Sequence, residues 1–388
     1  MTVQLPLEQV HPLDMAPLLR QLQRDGVIHR VRTAVGDDAW LVTGYAEVRR
    51  LLADERLGRS HPDPVRAPRQ GASVLFGGPI GNYDTEQADN ARVRSLLQPH
   101  FSPARMRGLR PRVEELTAGL LDDLAAHGPP ADLHQALALP LPIQVICELL
   151  GVPYADRDQF RAWSEAVGDA RDRARSEQGM GELFRYGRQL VARQREQPGE
   201  DFISRLCAGG LGDDEIAMLS MALLFAGHET TVVAIGLGAL CLLTHPGQQQ
   251  ALVRDPGRIT AAVEEMLRAP GRSGGGIPRY ARTDLQIGDV TVRAGELVLL
   301  DNRAANHDPA VFPGSGRFDI TRQDAAHLSF GHGAHYCLGA PLARIELHVV
   351  FSQLLARFPG MRLAVPVEQL RVRSGTLTGG LTTLPVEW

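Results

Sequence analysis

Apolar residues keep a helical spacing over most of the chain and a strand-like one only in patches. Leu18, Leu19 and Leu22 give a short amphipathic helix over 14–24. Residues 27–31 and 40–42 read as strands about the turn-rich Gly36-Asp37-Asp38, and 45–52 returns to helix. From 59 to 82 the pattern dissolves into proline, glycine and polar residues, a length of loop that is usually either functional or disordered. Val74, Leu75 and Phe76 are its apolar members. The following helix, 89–97, carries Asn90 and Arg94 on one face. Residues 103–196 are expected to be helical, broken at Gly128-Pro129-Pro130 and Gly151-Val152-Pro153. Within them 141–150 reads as a buried helix, with Cys147 in the core, and 154–194 as a solvated helical pair with a connecting loop.

The longest pattern runs from 213 to 244, capped by Asp213 or Asp214 and stopped by His245-Pro246. At 1.5 Å per residue it spans about 45 Å. It is apolar on every side, so it either crosses a membrane or sits at the centre of a large core. Glu215, His228 and Glu229 favour the core. Within it, Ala226-Gly227-His228-Glu229-Thr230-Thr231 places an acid, a histidine and two hydroxyls where burial is costly unless they are paired. The Thr230 hydroxyl can bond back to the Ala226 carbonyl, which favours a local distortion beside Gly227. Further on, Glu265 and Arg268 share a helix face, 285–292 and 297–299 read as strands, and 375–381 reads as a hairpin. The whole predicts a mainly α fold with a smaller β region, from about 27–43 and 277–300. No linker divides residues 1–388, so a single domain is expected.

Composition narrows the function. With 44% apolar residues the chain can bury a large core, and a net charge of -4 argues against nucleic-acid binding and membrane-surface binding. All 41 basic residues are arginine, which suits a protein that must grip carboxylates. Cys147, Cys207, Cys241 and Cys337 are scattered and suggest no disulfide framework. The first twelve residues have neither a basic run nor a long apolar one, so neither signal peptide nor membrane anchor is expected. A soluble cytoplasmic protein follows.

One stretch carries candidate metal chemistry: Phe330-Gly331-His332-Gly333-Ala334-His335-Tyr336-Cys337-Leu338-Gly339-Ala340. Its glycines let backbone approach a flat ligand, and Pro341 marks a helix start. A thiol at a helix head favours the thiolate, the form that ligates metal. An irregular zinc site of His327, His332, His335 and Cys337 is the competing reading, although its spacing matches no common zinc pattern. The loop resembles the haem-binding loop of the cytochrome P-450 family, Phe-Gly-x-Gly-x-His/Arg-x-Cys-x-Gly, with every fixed position filled.

Three further stretches extend that resemblance, in the family's order and over essentially the whole chain. Ala226-Gly227-His228-Glu229-Thr230 is similar to its oxygen-activating motif. Glu265-Met266-Leu267-Arg268 looks like its Glu-x-x-Arg pair, and Phe318-Asp319-Ile320-Thr321-Arg322 like its second arginine motif. The resemblance implies a cytochrome P-450 fold around a buried haem b (iron protoporphyrin IX), with Cys337 as the iron's thiolate ligand. It implies that Arg94, Arg279 and His335 meet the haem propionates. Asn90 stands where many members have histidine. It implies that Thr230 hydrogen-bonds the oxygen intermediate while Glu229 relays protons, and that Glu265, Arg268 and Arg322 form a buried structural network. It also makes 154–194 a lid and the 375–381 tip a pocket wall. Ser273-Gly274-Gly275-Gly276 would either make room for a bulky ligand or simply be flexible.

The activity implied is a monooxygenase that hydroxylates or epoxidises an organic small molecule, with a macrolide-like intermediate of secondary metabolism as the favoured substrate. Electrons would come from a ferredoxin and ferredoxin reductase, docking on a surface that includes Arg344. Oxidative coupling, desaturation, peroxide-driven chemistry and a haem sensor are the alternatives. Asp84 and Glu86 could attract a cationic substrate, although such acids are more often simply solvated.

Overall fold

The computed structural model describes residues 3–7, 11–270, 275–323 and 326–388; Ser273 and Gly274 therefore lie outside the described residues. Helix predominates and strand is the minority, as the periodicity predicts. The chain forms two compact units: Met1–Phe101 with Leu240–Ala340, and Ser102–Ala239 with Pro341–Trp388.

The first unit is built on a sheet whose strands run in the order Val3–Gln4, Ile28–Arg32, Asp38–Val42, Leu297–Leu300, Ile277–Ala281, Leu57–Gly58. Gly36, with φ +91°, turns Ile28–Arg32 back onto Asp38–Val42, and Arg30 pairs with Trp40. Leu297–Leu300 is buried throughout and feeds both faces of the sheet. Val298 and Leu300 enter one core cluster with Val48 and Leu51, while Leu297 and Leu299 enter another with Leu19 and Leu41. This is the two-residue alternation of a strand covered on both sides. Its partner strand sets Arg279 opposite Val298.

Some expectations for this unit need correction. The first helix is Pro17–Asp25, because Pro17 supplies its opening turn. Residues 285–292 are two strands, Leu285–Ile287 and Val290–Val292, with Gly288 at φ +56° between them. Gly276 has a packing reason: a Cβ there would lie 2.6 Å from the Leu300 carbonyl carbon. Gln70 also ties the loop, donating to the Gly275 and Gly276 carbonyls.

The Glu265–Arg268 pair is bidentate, at 2.7 Å for each bond, and both side chains are buried. Arg322 adds a third charge 3.3 Å from Glu265, and the Asp319 amide donates to the same carboxylate. Arg268 also donates to the carbonyls of Asn306, Ser315 and Arg317. The segment ahead of the cysteine loop is thereby held by one guanidinium.

In the second unit the expected helical stretch resolves into Pro103–Gly108, Arg110–His127, Pro140–Leu150, Arg157–Val167 and Arg173–Glu196. The periodicity does not reveal a π-helical turn at His134–Ala138 or the two-residue strand Ala131–Asp132, which pairs with Pro385–Glu387. Helix Asp213–Thr244 runs through the core and leaves this unit at Ala239. The Gly212 carbonyl accepts its first hydrogen bond, from Ile216, so Asp213 and Asp214 lie inside the first turn. The helix is long and apolar enough to cross a membrane, yet 61% of its most apolar window is buried within the protein. Close packing is one reason: Gly187 lets helix Arg173–Glu196 approach Met221 and the Ala217 carbonyl. A hairpin over 371–382 closes the unit, with Arg373 N–H donating to Gly380 and Thr382 N–H to Arg371. Its tip bonds to the connection between two helices, through Ala170 to Gly375 and Leu377 to Gly168.

Glu265→Gln should leave the Arg268 guanidinium buried without its counter-charge, a loss of about 3–5 kcal/mol. The expected outcome is a thermal midpoint lower by about 5 °C or more, read by circular dichroism. An unchanged midpoint would contradict the network's structural role.

Candidate active site

The cysteine loop is shaped by its glycines. Gly331 and Gly333 both adopt φ +72°, and a Cβ on Gly333 would lie 2.8 Å from Ala53 Cα. That contact seats the loop on the end of helix Tyr45–Leu52. The Cys337 amide donates to the Phe330 carbonyl at 2.9 Å, which closes the loop, and helix Ala340–Arg357 begins three residues later. None of the four cysteines is in a disulfide. Cys147 and Cys241 are buried, Cys207 is half-buried, and Cys337 is exposed. Burial pushes the Cys147 thiol up to about 12 and the Cys241 thiol higher still, so neither suits metal ligation. The zinc alternative fails. His327 bonds Glu264 at 3.1 Å, and among the described residues no three His, Cys, Asp or Glu side chains are grouped to hold a metal.

Arg94, Arg279 and His335, which are far apart in sequence, come together in the first unit. Arg94 donates to the Tyr336 carbonyl at 2.8 Å. Arg279 is only 5% exposed, and burial, with Arg59 beside it, lowers its pKa to about 10. His335 is held down at about 4 by burial first, then by Arg279, Arg59 and Arg94. Three guanidiniums thus act on one imidazole, with Glu86 the carboxylate opposing them. Glu86 is already engaged by the Arg59 and Ser60 amides, the Ser60 hydroxyl and Arg282. It is therefore a partner of these cations and no solvated lure for a cationic substrate. Arg59 is the residue that sequence reasoning missed. Its only signal is its place at the start of the irregular loop, straight after strand Leu57–Gly58. Asn90 is half-buried on the Arg94 helix.

Glu229 and Thr230 are neighbours in the second unit but face different ways. Along helix Asp213–Thr244 a stripe at four-residue spacing (Met218, Ala222, Ala226 and Thr230) is exposed, while His228 and Glu229 are buried. The stripe is small-sided around Thr230, so it leaves room for a ligand beside a hydroxyl. That hydroxyl donates to the Ala226 carbonyl at 3.0 Å, as the sequence suggests. Glu229 Oε2 accepts from Thr378 at 3.0 Å and from Arg373 at 3.3 Å. The hairpin tip therefore reaches this helix, and the buried acid is paired rather than stranded.

The Cytochrome P450 family profile matches residues 171–256 and 258–365. The chain belongs to the cytochrome P450 family. It is 44% identical to pentalenolactone synthase of Streptomyces exfoliatus, over 98% of each chain. It is 41% identical to the mycinamicin IV hydroxylase/epoxidase of Micromonospora griseorubida, over 99% of this chain and 98% of that one. The substrate-free structure of P450 PimD, a polyene macrolide antibiotic pimaricin epoxidase, superimposes with a TM-score of 0.90. It covers 100% of this chain and 99% of that one at 41% identity. This protein is accordingly a haem-dependent P450 monooxygenase.

The residues present fit haem b. A single exposed thiol on a glycine-cornered loop offers one ligand for the iron. Three guanidiniums against one occupied carboxylate leave at least two positive charges in excess, which two propionates would neutralise. Cys337 would hold the iron, and Arg59, Arg94, Arg279 and His335 the propionate edge.

Arg59→Met and Arg279→Met should each speed haem loss about 10-fold or more, the worth of one charge-assisted hydrogen bond. Transfer of haem to apomyoglobin measures this, and an unchanged rate for Arg59→Met would remove Arg59 from the propionate set. Without haem, the depressed His335 makes the unfolded chain bind protons first as pH falls below about 6.5. Stability of the apoprotein should therefore decline between about pH 6.5 and 4 through this residue, and a His335→Asn variant should show a shallower decline in urea titrations.

Proposed function

We propose that this P450 hydroxylates or epoxidises a macrolide-like natural-product intermediate in the cytoplasm, drawing electrons from a ferredoxin and its reductase. The observation that carries the reading is the exposed Ala222–Ala226–Thr230 stripe, a small-sided helix face with one hydroxyl and a buried, clamped acid next to it. The names of its relatives support the substrate class, since two of them are a mycinamicin IV hydroxylase/epoxidase and a polyene macrolide antibiotic pimaricin epoxidase.

Bound haem, which Cys337 would hold through its thiolate, would supply the activation of dioxygen. The chain's own residues do the rest. Arg94, Arg279 and His335 orient the cofactor through its propionates. Cleavage of dioxygen consumes two protons, which the chain would have to deliver. With its hydrogen turned to Ala226, the Thr230 hydroxyl directs its lone pairs away from that carbonyl and accepts a hydrogen bond on the open face. Glu229 exchanges protons behind it, within a helix otherwise free of acid through this buried span.

Thr230→Ala should keep the thiolate-type spectrum of the reduced carbon-monoxide form yet lose about tenfold or more in product per electron pair, with hydrogen peroxide rising to match. Thr230→Ser should recover much of the yield. Normal coupling in Thr230→Ala would refute the assigned role. For the substrate, a high-spin shift of the haem absorption on adding macrolide lactones, but not fatty acids, is expected.

A further inference from the structure

His228 is fully buried, and its Nδ1 lies 2.6 Å from the Leu224 carbonyl oxygen. A carbonyl only accepts, so this nitrogen carries the hydrogen, and in the neutral ring Nε2 is then an acceptor. Nε2 has no hydrogen-bond partner and no solvent, and it lies 3.8 Å from Oε1 of Glu229. An ionised carboxylate is also an acceptor only. Two acceptors therefore face each other, His228 at 0% exposure and Glu229 at 7%, a costly arrangement in hydrogen-bond accounting. A single proton placed on either atom turns the clash into a donor–acceptor pair.

Neither side chain can easily turn away. Glu229 Oε2 is occupied by Thr378 and Arg373 from the hairpin, so Oε1 is the oxygen left facing the ring. The ring is backed by Phe160, edge-on at 5.8 Å. The charged groups around the pair come from every neighbouring element. Arg161 faces it from helix Arg157–Val167 and Arg373 from the hairpin. His134, from the π-helical turn, faces Glu229 with Asp132 beside it. Glu165 lies 4.0 Å from Arg373. Burial first, then Arg161 and Arg373, oppose charge on the ring, while Glu229 and the Leu224 carbonyl favour it.

We propose that His228 Nε2 and Glu229 Oε1 hold one proton between them, which makes His228 a positioning residue of the proton path. This rests on Glu229 being the relay carboxylate. In each delivery the bond from the shared hydrogen to Oε1 breaks and the proton leaves towards the Thr230 face. One proton from solvent then restores the pair, and no electrons move.

The test uses haem-loaded enzyme in the diamagnetic ferrous carbon-monoxide form. Infrared difference spectra between pH values should contain a carboxylic-acid band that vanishes in Glu229→Gln. In His228→Phe, which keeps a ring against Phe160, the titration midpoint of that band should move by about one pH unit or more. The pH profile of peroxide leakage should move with it. A band lost in Glu229→Gln but unmoved in His228→Phe overturns the shared proton and leaves the role of Glu229 intact. Normal coupling in Glu229→Gln removes the reading beneath it. Should His228→Phe fail to load haem, nitrogen-15 NMR of the unaltered enzyme decides: Nδ1–H with a titrating Nε2 supports the pair, and an Nε2–H tautomer at every pH overturns it.

Discussion

Positive charge kept from water is the constraint around which the first unit is arranged. Arg279 sits on a strand whose neighbour is buried over its whole length, so its guanidinium has little access to solvent. Arg59 is likewise pushed down by burial and only partly relieved by Glu86. Cations crowded in this way lose both hydration and mutual distance, and the loss is recovered only when anions enter. The sheet, the cysteine loop and the Glu265–Arg268 network can be seen as the rigid frame that keeps the cations from relaxing outward. A dianionic cofactor edge would complete that frame rather than merely occupy it.

The second unit handles charge in the opposite sense. There a carboxylate is buried, and its counter-groups come from a hairpin more than a hundred residues further along the chain. Long side chains would block the exposed stripe beside it, yet Ala222 and Ala226 keep it shallow. This helix combines two properties that rarely coincide: an open face and, one residue away, a dry one.

Much of this was legible in the residues. Helix Tyr45–Leu52 has the predicted limits, and Asp213–Thr244 ends where Pro246 requires. The back-bond from Thr230 follows from its spacing, and the Arg322 contact with Glu265 from the resemblance to the family's arginine motif. The failures share a cause. Leu57–Gly58 and Ala131–Asp132 are strands only because distant partners lie beside them, and two residues carry no period. The π-helical turn at His134–Ala138 has an ordinary helical composition. Arg59 reads as one polar residue in a loop until the fold brings Arg279 and His335 near it. Gly276 looks like slack until the Leu300 backbone is found against it. Tertiary proximity, not local preference, sets each of these.

The hairpin over 371–382 has a consequence for biosynthesis. The second unit is discontinuous, and its last strand, Pro385–Glu387, is the middle one of its small sheet. During synthesis Glu229 leaves the ribosome long before Arg373 and Thr378 exist. The nascent unit must therefore carry an unclamped acid until the hairpin residues that bond it arrive. Loss or delay of this hairpin would thus leave Glu229 unclamped first, while most of the helical scaffold has already been made.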